Sequence, residues 1–296
     1  MKKEIIEIDI NNLKKSNPNN LELSITVGAF DGIHLGHLEL IKNLGKNKCA
    51  FTFKEHPDYL LEKRKNSGII NDFKEKCEIL FSLGIEYIYV IPEDALKLSY
   101  LDFNKLLLEL NVKEVVVGAD FHYGCNGLGG VKELKKDFNV KLIPFLKYGN
   151  NKISSTYLRN LLDLGNIELL NKLLVKPFKV EGKVNNGHKI GSTLGFRTAN
   201  LTNNKYQGLR RGVYKSKVVI DNKEYNSVCN YGINPTINTY DEAHFEIHIL
   251  DFDEDIYDQD ITLYLLEFIR DEIKFNNKYE LIEQIKKDIE KVKAWK

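Results

Sequence analysis

Cysteine pairs, long apolar runs and an excess of charge of either sign are all missing from this 296-residue chain. Its four cysteines, Cys49, Cys77, Cys125 and Cys229, lie far apart with no C-x-x-C pair. That spacing argues against a disulfide framework or a zinc site. Cys49 and Cys77 sit among apolar residues and read as small buried side chains. No apolar run reaches membrane-spanning length, and Met1-Lys2-Lys3 leads into mixed charged and apolar residues rather than a signal peptide. The expectation is a cytoplasmic protein with no membrane association. Lys and Arg total 43 against 42 Asp and Glu, a formal net charge of +1. Such balance gives no electrostatic footprint for nucleic acid. The basic cluster Lys63-Arg64-Lys65 reads as solvated surface. Internal repeats and low-complexity tracts are absent too.

What is present divides in two. Apolar runs at Cys49–Phe53, Tyr87–Ile91, Val115–Val117 and Val140–Ile143 alternate with helical patterns at Asp72–Leu83, Asp102–Leu110 and Val131–Phe138. Gly84 stands where a helix C-cap belongs. Apolar strands separated by helices predict a parallel sheet covered on both faces, with ligands at the strands' carboxyl ends. Further helices are expected at Ser155–Leu164, ended by Gly165, and at Ile167–Leu174. After Pro177 the pattern changes. Phe178–Val184, Val213–Ile220, Lys223–Asn230, His244–Leu250 and Ile261–Leu266 read as strands without intervening helices, and Lys278–Lys293 as a closing amphipathic helix. The fold class is α/β: a Rossmann-like parallel-sheet domain over 1–175, then a mainly antiparallel β-barrel over 176–296.

The segment Gly28-Ala29-Phe30-Asp31-Gly32-Ile33-His34-Leu35-Gly36-His37 follows the short strand Leu23–Val27. Leu38, Ile41 and Leu44 then recur at helical spacing, with Gly45 as the stop. A helix start offers unpaired N–H groups and the positive end of the helix dipole, and imidazoles add donors near neutral pH. The pair could also ligate a metal, but no third ligand lies nearby. A second segment, Ile153-Ser154-Ser155-Thr156-Tyr157-Leu158-Arg159, sets three hydroxyls at a helix start with an arginine one turn on. One serine alone would read as an N-cap; three hydroxyls and Arg159 suit a polyphosphate. A third, Gly118-Ala119-Asp120-Phe121-His122-Tyr123-Gly124, follows an apolar strand and carries rings that could stack on a planar ligand or pack in the core.

Together these segments resemble the bacterial bifunctional riboflavin kinase/FAD synthetase family over nearly the whole chain. The family's G-x-F-D-G-x-H-x-G-H, G-x-D-F-x-[FY]-G and I-S-S-T-x-[IL]-R elements stand at Gly28–His37, Gly118–Gly124 and Ile153–Arg159. The resemblance implies a first domain that adenylates FMN with ATP and Mg²⁺. His34 and His37 would act on the ATP phosphates. Gly28, Phe30, Asp31, Gly32, Gly36, Ser154, Ser155, Thr156 and Arg159 would complete the nucleotide site. The flavin would lie near Phe53, Pro57, Asp120 and Tyr123.

The same resemblance implies a riboflavin kinase in the second domain. Its glycine-rich stretch, Gly182, Gly187, Gly191 and Gly195, runs into Phe196-Arg197-Thr198-Ala199-Asn200. The family's G-x-[PL]-T-A-N element implies ATP at Gly182, Gly191 and Gly195, and Mg²⁺ at Thr198 and Asn200. Arg197 departs from the usual proline, and Val175 departs from a frequent glycine. In His244-Phe245-Glu246-Ile247-His248-Ile249, alternation puts Glu246 and His248 on one face and the apolar residues on the other. The family's E-[VI]-H element implies that Glu246 is the base for the riboflavin 5′-hydroxyl. Arg270 is a flavin-contact candidate. Riboflavin, FMN, FAD and ATP are the implied partners. Two other readings stand beside this one: an FAD synthetase with a weakened kinase, and a flavin- or nucleotide-binding regulator without turnover.

Overall fold

Helix-forming and strand-forming segments part company in the computed structural model as the hydrophobic pattern predicts. The structure describes residues 3–60, 68–185, 196, 198–201, 208–233 and 243–294. The chain forms two units, one ending at Tyr157 and the other running from Leu158, with Gly68 counted in the second.

The first unit is built on a parallel sheet. Its strands are β1 (Glu4–Glu7), β2 (Leu23–Val27), β3 (Lys48–Thr52), β4 (Tyr87–Val90), β5 (Val112–Gly118) and β6 (Asn139–Ile143). They are ordered β1-β4-β3-β2-β5-β6. The central strands carry the core, with Ile25, Cys49, Phe51, Tyr89, Val115 and Val117 buried. The edge strands are half-exposed, and β1 shows an alternating pattern that the search for continuous apolar runs passes over. Helices α1 (Leu35–Lys42), α2 (Phe73–Ser82) and α3 (Tyr100–Glu109) lie between the strands in sequence. Asp72 caps α2 and Ser99 caps α3, each side chain accepting from the N–H three residues on. Gly84 takes φ +91° after α2, as a C-terminal glycine should.

Two helix boundaries differ from the sequence expectation. Helix α1 stops at Lys42 with Asn43 as its cap, because Gly45 N–H is drawn to Ser24 Oγ and Glu114 Oε1. The expected helix over Val131–Phe138 is regular only over Val131–Leu134.

Strand order reverses between β2 and β5. Strands β3 and β4 lie on one side of β2, while β5 lies on the other. Such a switch point opens a crevice at the strands' carboxyl ends. The segments Gly28–His37 and Gly118–Gly124 leave those two ends.

Helix α4 (Ser155–Asp163) begins in the first unit and continues into the second, where α5 (Ile167–Leu173) follows. Asn171, on α5, donates its amide to Leu265 O and accepts from Phe178 N–H. These bonds hold α5 to the second unit's sheet.

That sheet closes into a barrel. Its strands are β7 (Lys179–Asn185), β8 (Ala199–Leu201), β9 (Gly212–Ile220), β10 (Lys223–Gly232), β11 (His244–Ile249) and β12 (Asp260–Arg270). The order β7-β8-β11-β10-β9-β12 closes on itself with antiparallel pairs. Strand β11 alternates as expected: Phe245, Ile247 and Ile249 are buried, Glu246 and His248 half-buried. Helix α6 (Lys278–Ala294) ends the described chain. It is tied to β12 by Arg270, which donates to the buried Asp288 carboxylate through Nε (3.0 Å) and Nη2 (2.6 Å).

Candidate active sites

The turn after β2 is locked from several directions. Phe30 is buried in a left-handed conformation at φ +51°, which a side chain seldom adopts, and Gly32 follows at φ +64°. The Asp31 carboxylate is buried and accepts from Ile70 N–H (2.8 Å) and Asn71 N–H (3.1 Å). The Asn71 amide oxygen in turn accepts from Ile33 N–H at 3.1 Å. Asp31 therefore shapes the turn through its bonds to the backbone of residues 70 and 71.

The two histidines cap the helix that carries them. His34 is the N-cap of α1, and its Nδ1 accepts from His37 N–H at 3.2 Å. His37 Nδ1 reaches back to His34 N–H at 3.5 Å. The rings stack at 3.8 Å between centroids, and Phe30 tilts against His37 at 5.0 Å. With both Nδ1 atoms acting as acceptors, each neutral ring keeps its proton on Nε2 as a donor. Burial, then the Lys152 ammonium, pushes His34 down to about 4. Burial and then His34 hold His37 well below the ordinary imidazole range. Both rings are neutral donors at pH 7 in the free protein. Gly36 makes the stack possible, because a Cβ there would stand 3.0 Å from His34 Nδ1.

The three hydroxyls of the second segment split their work. Ser154 accepts from Tyr157 N–H at 3.3 Å and caps α4. Ser155 donates to Asp31 O at 2.6 Å, joining the helix start to the histidine turn. Thr156 is exposed. Arg159 is half-buried one turn further along α4.

The flavin candidates of this unit do not form one uniform surface. Phe53 and Pro57 are half-buried, just beyond β3. Asp120 is exposed and pairs with Lys152, which also lies over the Phe145 ring at 4.0 Å. Tyr123 is buried, packs on Phe103 and Phe121, and donates its hydroxyl to Asn104 Oδ1 at 2.7 Å.

In the second unit, Glu246 stands directly opposite Asn200 on β8 and Asn230 on β10. Opposite residues of antiparallel strands share a face, so the carboxylate lies between two amide side-chain positions. His244 Nε2 contacts Glu246 Oε1 at 3.2 Å, and the Phe196 ring meets His248 edge-on at 5.5 Å. Thr198 precedes β8 and is half-buried. Gly182 stands inside β7, where a Cβ would meet Leu201 Cδ1 at 2.8 Å. Its bareness there serves barrel packing. Arg270 Nη1 donates to Asp271 O, so all three of its nitrogens, with those on Asp288, have protein partners. Gly187, Gly191, Gly195, Arg197 and the Lys63-Arg64-Lys65 cluster lie outside the described residues.

Sequence reasoning missed Asn71, Lys152, Asn230 and His244 around these sites. Only His244 left a signal, because it shares the alternating face of Glu246.

Two family models match the chain: FAD synthetase over residues 16–157 and riboflavin kinase over 174–296. A Buchnera aphidicola bifunctional riboflavin kinase/FMN adenylyltransferase is 36% identical, covering 97% of each chain. The Bacillus subtilis protein of the same name is 36% identical over 89% of each. A solved Streptococcus pneumoniae chain, described as a macrolide-efflux protein, is 29% identical, covers 99% of both chains and superposes with a TM-score of 0.85. Among the described residues here, no helix is long and apolar enough to cross a membrane.

Proposed function

The chain belongs to the bifunctional riboflavin kinase/FMN adenylyltransferase family, and from that membership we propose how its own residues share the two reactions. The chain is an enzyme that phosphorylates riboflavin to FMN and adenylates FMN to FAD, with ATP as the second substrate of each step. We assign adenylyl transfer to residues 1–175 and phosphoryl transfer to 176–296. One observation carries the division: a reciprocally capped histidine pair at a sheet switch point and a strand-borne Glu246–Asn200 pair on a separate barrel occur in one chain.

In adenylyl transfer, an FMN phosphate oxygen attacks the α-phosphorus of ATP. The bond to the bridging oxygen breaks, and pyrophosphate leaves. No side chain needs to be adenylylated on the way. The protein's task is alignment and stabilisation of charge growing on the phosphoryl oxygens. The His34 and His37 Nε2–H groups supply donors already fixed in direction by the Nδ1 bonds. Thr156 and Arg159 add contacts to the polyphosphate from α4, with Ser155 holding the turn in place. Phe53, Pro57 and Asp120 take the flavin, with Tyr123 supporting them from the core.

In phosphoryl transfer, Glu246 accepts the proton of the riboflavin 5′-hydroxyl as that oxygen attacks the γ-phosphorus and ADP leaves. His244 orients the carboxylate. Arg270 serves the flavin site indirectly by anchoring α6. Thr198 and Asn200 offer neutral oxygens, which fit a hard divalent cation such as Mg²⁺. Such a cation would enter with the nucleotide, bound to its phosphates. When bound, it neutralises charge on the transferring group. We also propose a cytoplasmic location, supported by four unpaired cysteines.

The test is incubation with riboflavin, ATP and Mg²⁺, with the flavins separated over time. FMN followed by FAD is the expected result. FAD from added FMN, without FMN from riboflavin, would remove the kinase assignment. Binding without conversion would leave a regulator.

A further inference from the structure

We infer that Lys76 is a positioning residue for adenylyl transfer, tying the turn that carries the histidine pair to the segment that opens with Phe53. This rests on the adenylyltransferase reading of the first unit. Three features of its position disfavour a lysine. It is only 5% exposed, it stands in the first turn of α2, and burial pushes its ammonium down to about 8. A cation near a helix N-terminus opposes the dipole, and a buried one forfeits hydration.

The compensation is specific. Nζ donates to Phe53 O (2.8 Å), Ala29 O (3.0 Å) and Thr52 Oγ1 (3.3 Å). An ammonium has three donors, and here three acceptors meet them. The nearby Asp31 charge favours the protonated form. Thr52 Oγ1 donates to Ala29 O as well, at 3.2 Å.

The acceptors come from two different strand-to-helix connections. Ala29 directly precedes Phe30, whose left-handed backbone and ring support His37. Phe53 begins the segment proposed to meet the flavin. Beyond the last paired residues of the two strands, the ammonium and the Thr52 hydroxyl therefore brace the segment proposed to hold the electrophile's phosphates against the segment proposed to hold the nucleophile's ring. In-line attack depends on the spacing of the two, since a misplacement of about 1 Å costs on the order of 10²-fold in rate. A core filler would need no such arrangement, and a methionine would serve.

The experiment uses the full-length protein with Lys76→Met and Thr52→Val. FAD synthesis is measured per binding-competent site, counted by FAD titration. Riboflavin phosphorylation in the same preparation is the internal control. Lys76→Met should lower kcat for FAD formation about 30-fold, with KM for ATP and FMN shifting less than about threefold, as expected when alignment rather than binding is lost. FMN formation should stay within about twofold of wild type. Thr52→Val should lower kcat about threefold, and the double variant should fall no further than Lys76→Met, because both act through one knot. Wild-type kcat per competent site in Lys76→Met would overturn the proposal. If that variant does not fold, an unchanged kcat in Thr52→Val overturns it instead. A wild-type protein that makes no FAD would bring down the adenylyltransferase reading itself, and the role of Lys76 with it.

Discussion

The two sites are made in opposite ways. In the first unit, the histidines proposed to meet the nucleotide sit on a turn between strand and helix, and the turn is held by buried polar groups brought in from distant parts of the chain. Asp31 binds the backbone at 70 and 71, Asn71 binds Ile33, and Ser155 binds Asp31 O. In the second unit, strand register sets Glu246 between Asn200 and Asn230, and His244, two residues away on the same strand, contacts its carboxylate. A loop site gains reach and backbone donors but depends on its supports. A strand-face site inherits the rigidity of the barrel and depends mainly on the side chain itself.

Exchanging the essential groups tests that contrast most strongly. Glu246→Gln should slow FMN formation by about 10²- to 10⁴-fold, the range for a lost general base, while FAD formation from FMN continues. His37→Ala should slow FAD formation by about 10²- to 10³-fold, the scale of one lost charge-stabilising donor, and leave the kinase intact. Equal loss of both activities in either variant, followed by separating the flavins, would contradict two independent sites.

Next in size is the clamp on α6. Asp288→Ala leaves the Arg270 guanidinium without its buried partner and should cost about 3 kcal/mol, as one-sided removal of buried pairs does. Urea unfolding of the barrel would measure it. An unchanged midpoint would mean that α6 is held by apolar contacts alone. A smaller effect is expected from Gly36→Ala, whose Cβ crowds His34. FAD formation should drop about tenfold through misplacement of the ring, with FMN formation unchanged.

The first unit's stability should also depend on pH. His34 has a folded value near 4 against an ordinary 6.5. Below 6.5 the unfolded chain takes up a proton that the folded site resists, so this contribution to stability is present above pH 6.5 and lost as pH falls towards 4. Thermal unfolding of the first unit should therefore weaken across that window, and His34→Gln should flatten the slope. Glu246 variants should leave it unaltered.

Much of this was legible in the chain. Strands β2 to β5 announce themselves as apolar runs, and the Glu246 face follows from period-two alternation. The histidine turn was legible as a strand-to-helix element, because its spacing and glycines are local features. Its supports were not. Nothing near Lys76 says that its ammonium meets Ala29 O and Phe53 O, and nothing near Asp31 points to residues 70 and 71. Such partners are chosen by the fold, across 20 to 50 residues of chain, and leave no periodic trace. The same holds for Arg270, whose pairing with Asp288 no local pattern announces. Helix α1 ends early for a related reason: Gly45 N–H finds Ser24 and Glu114 across the sheet.

The reciprocal cap between His34 and His37 also limits how the sequence can drift. Each ring closes onto the other residue's N–H, so the pair works only at a separation of three. Inserting or deleting one residue between them would undo both bonds, free both Nδ1 atoms and turn the Nε2 donors away from a common direction. Substitutions at Leu35 are tolerable in principle, whereas a change in length is not. In this segment the count of residues is as much a part of the reactive chemistry as the imidazoles.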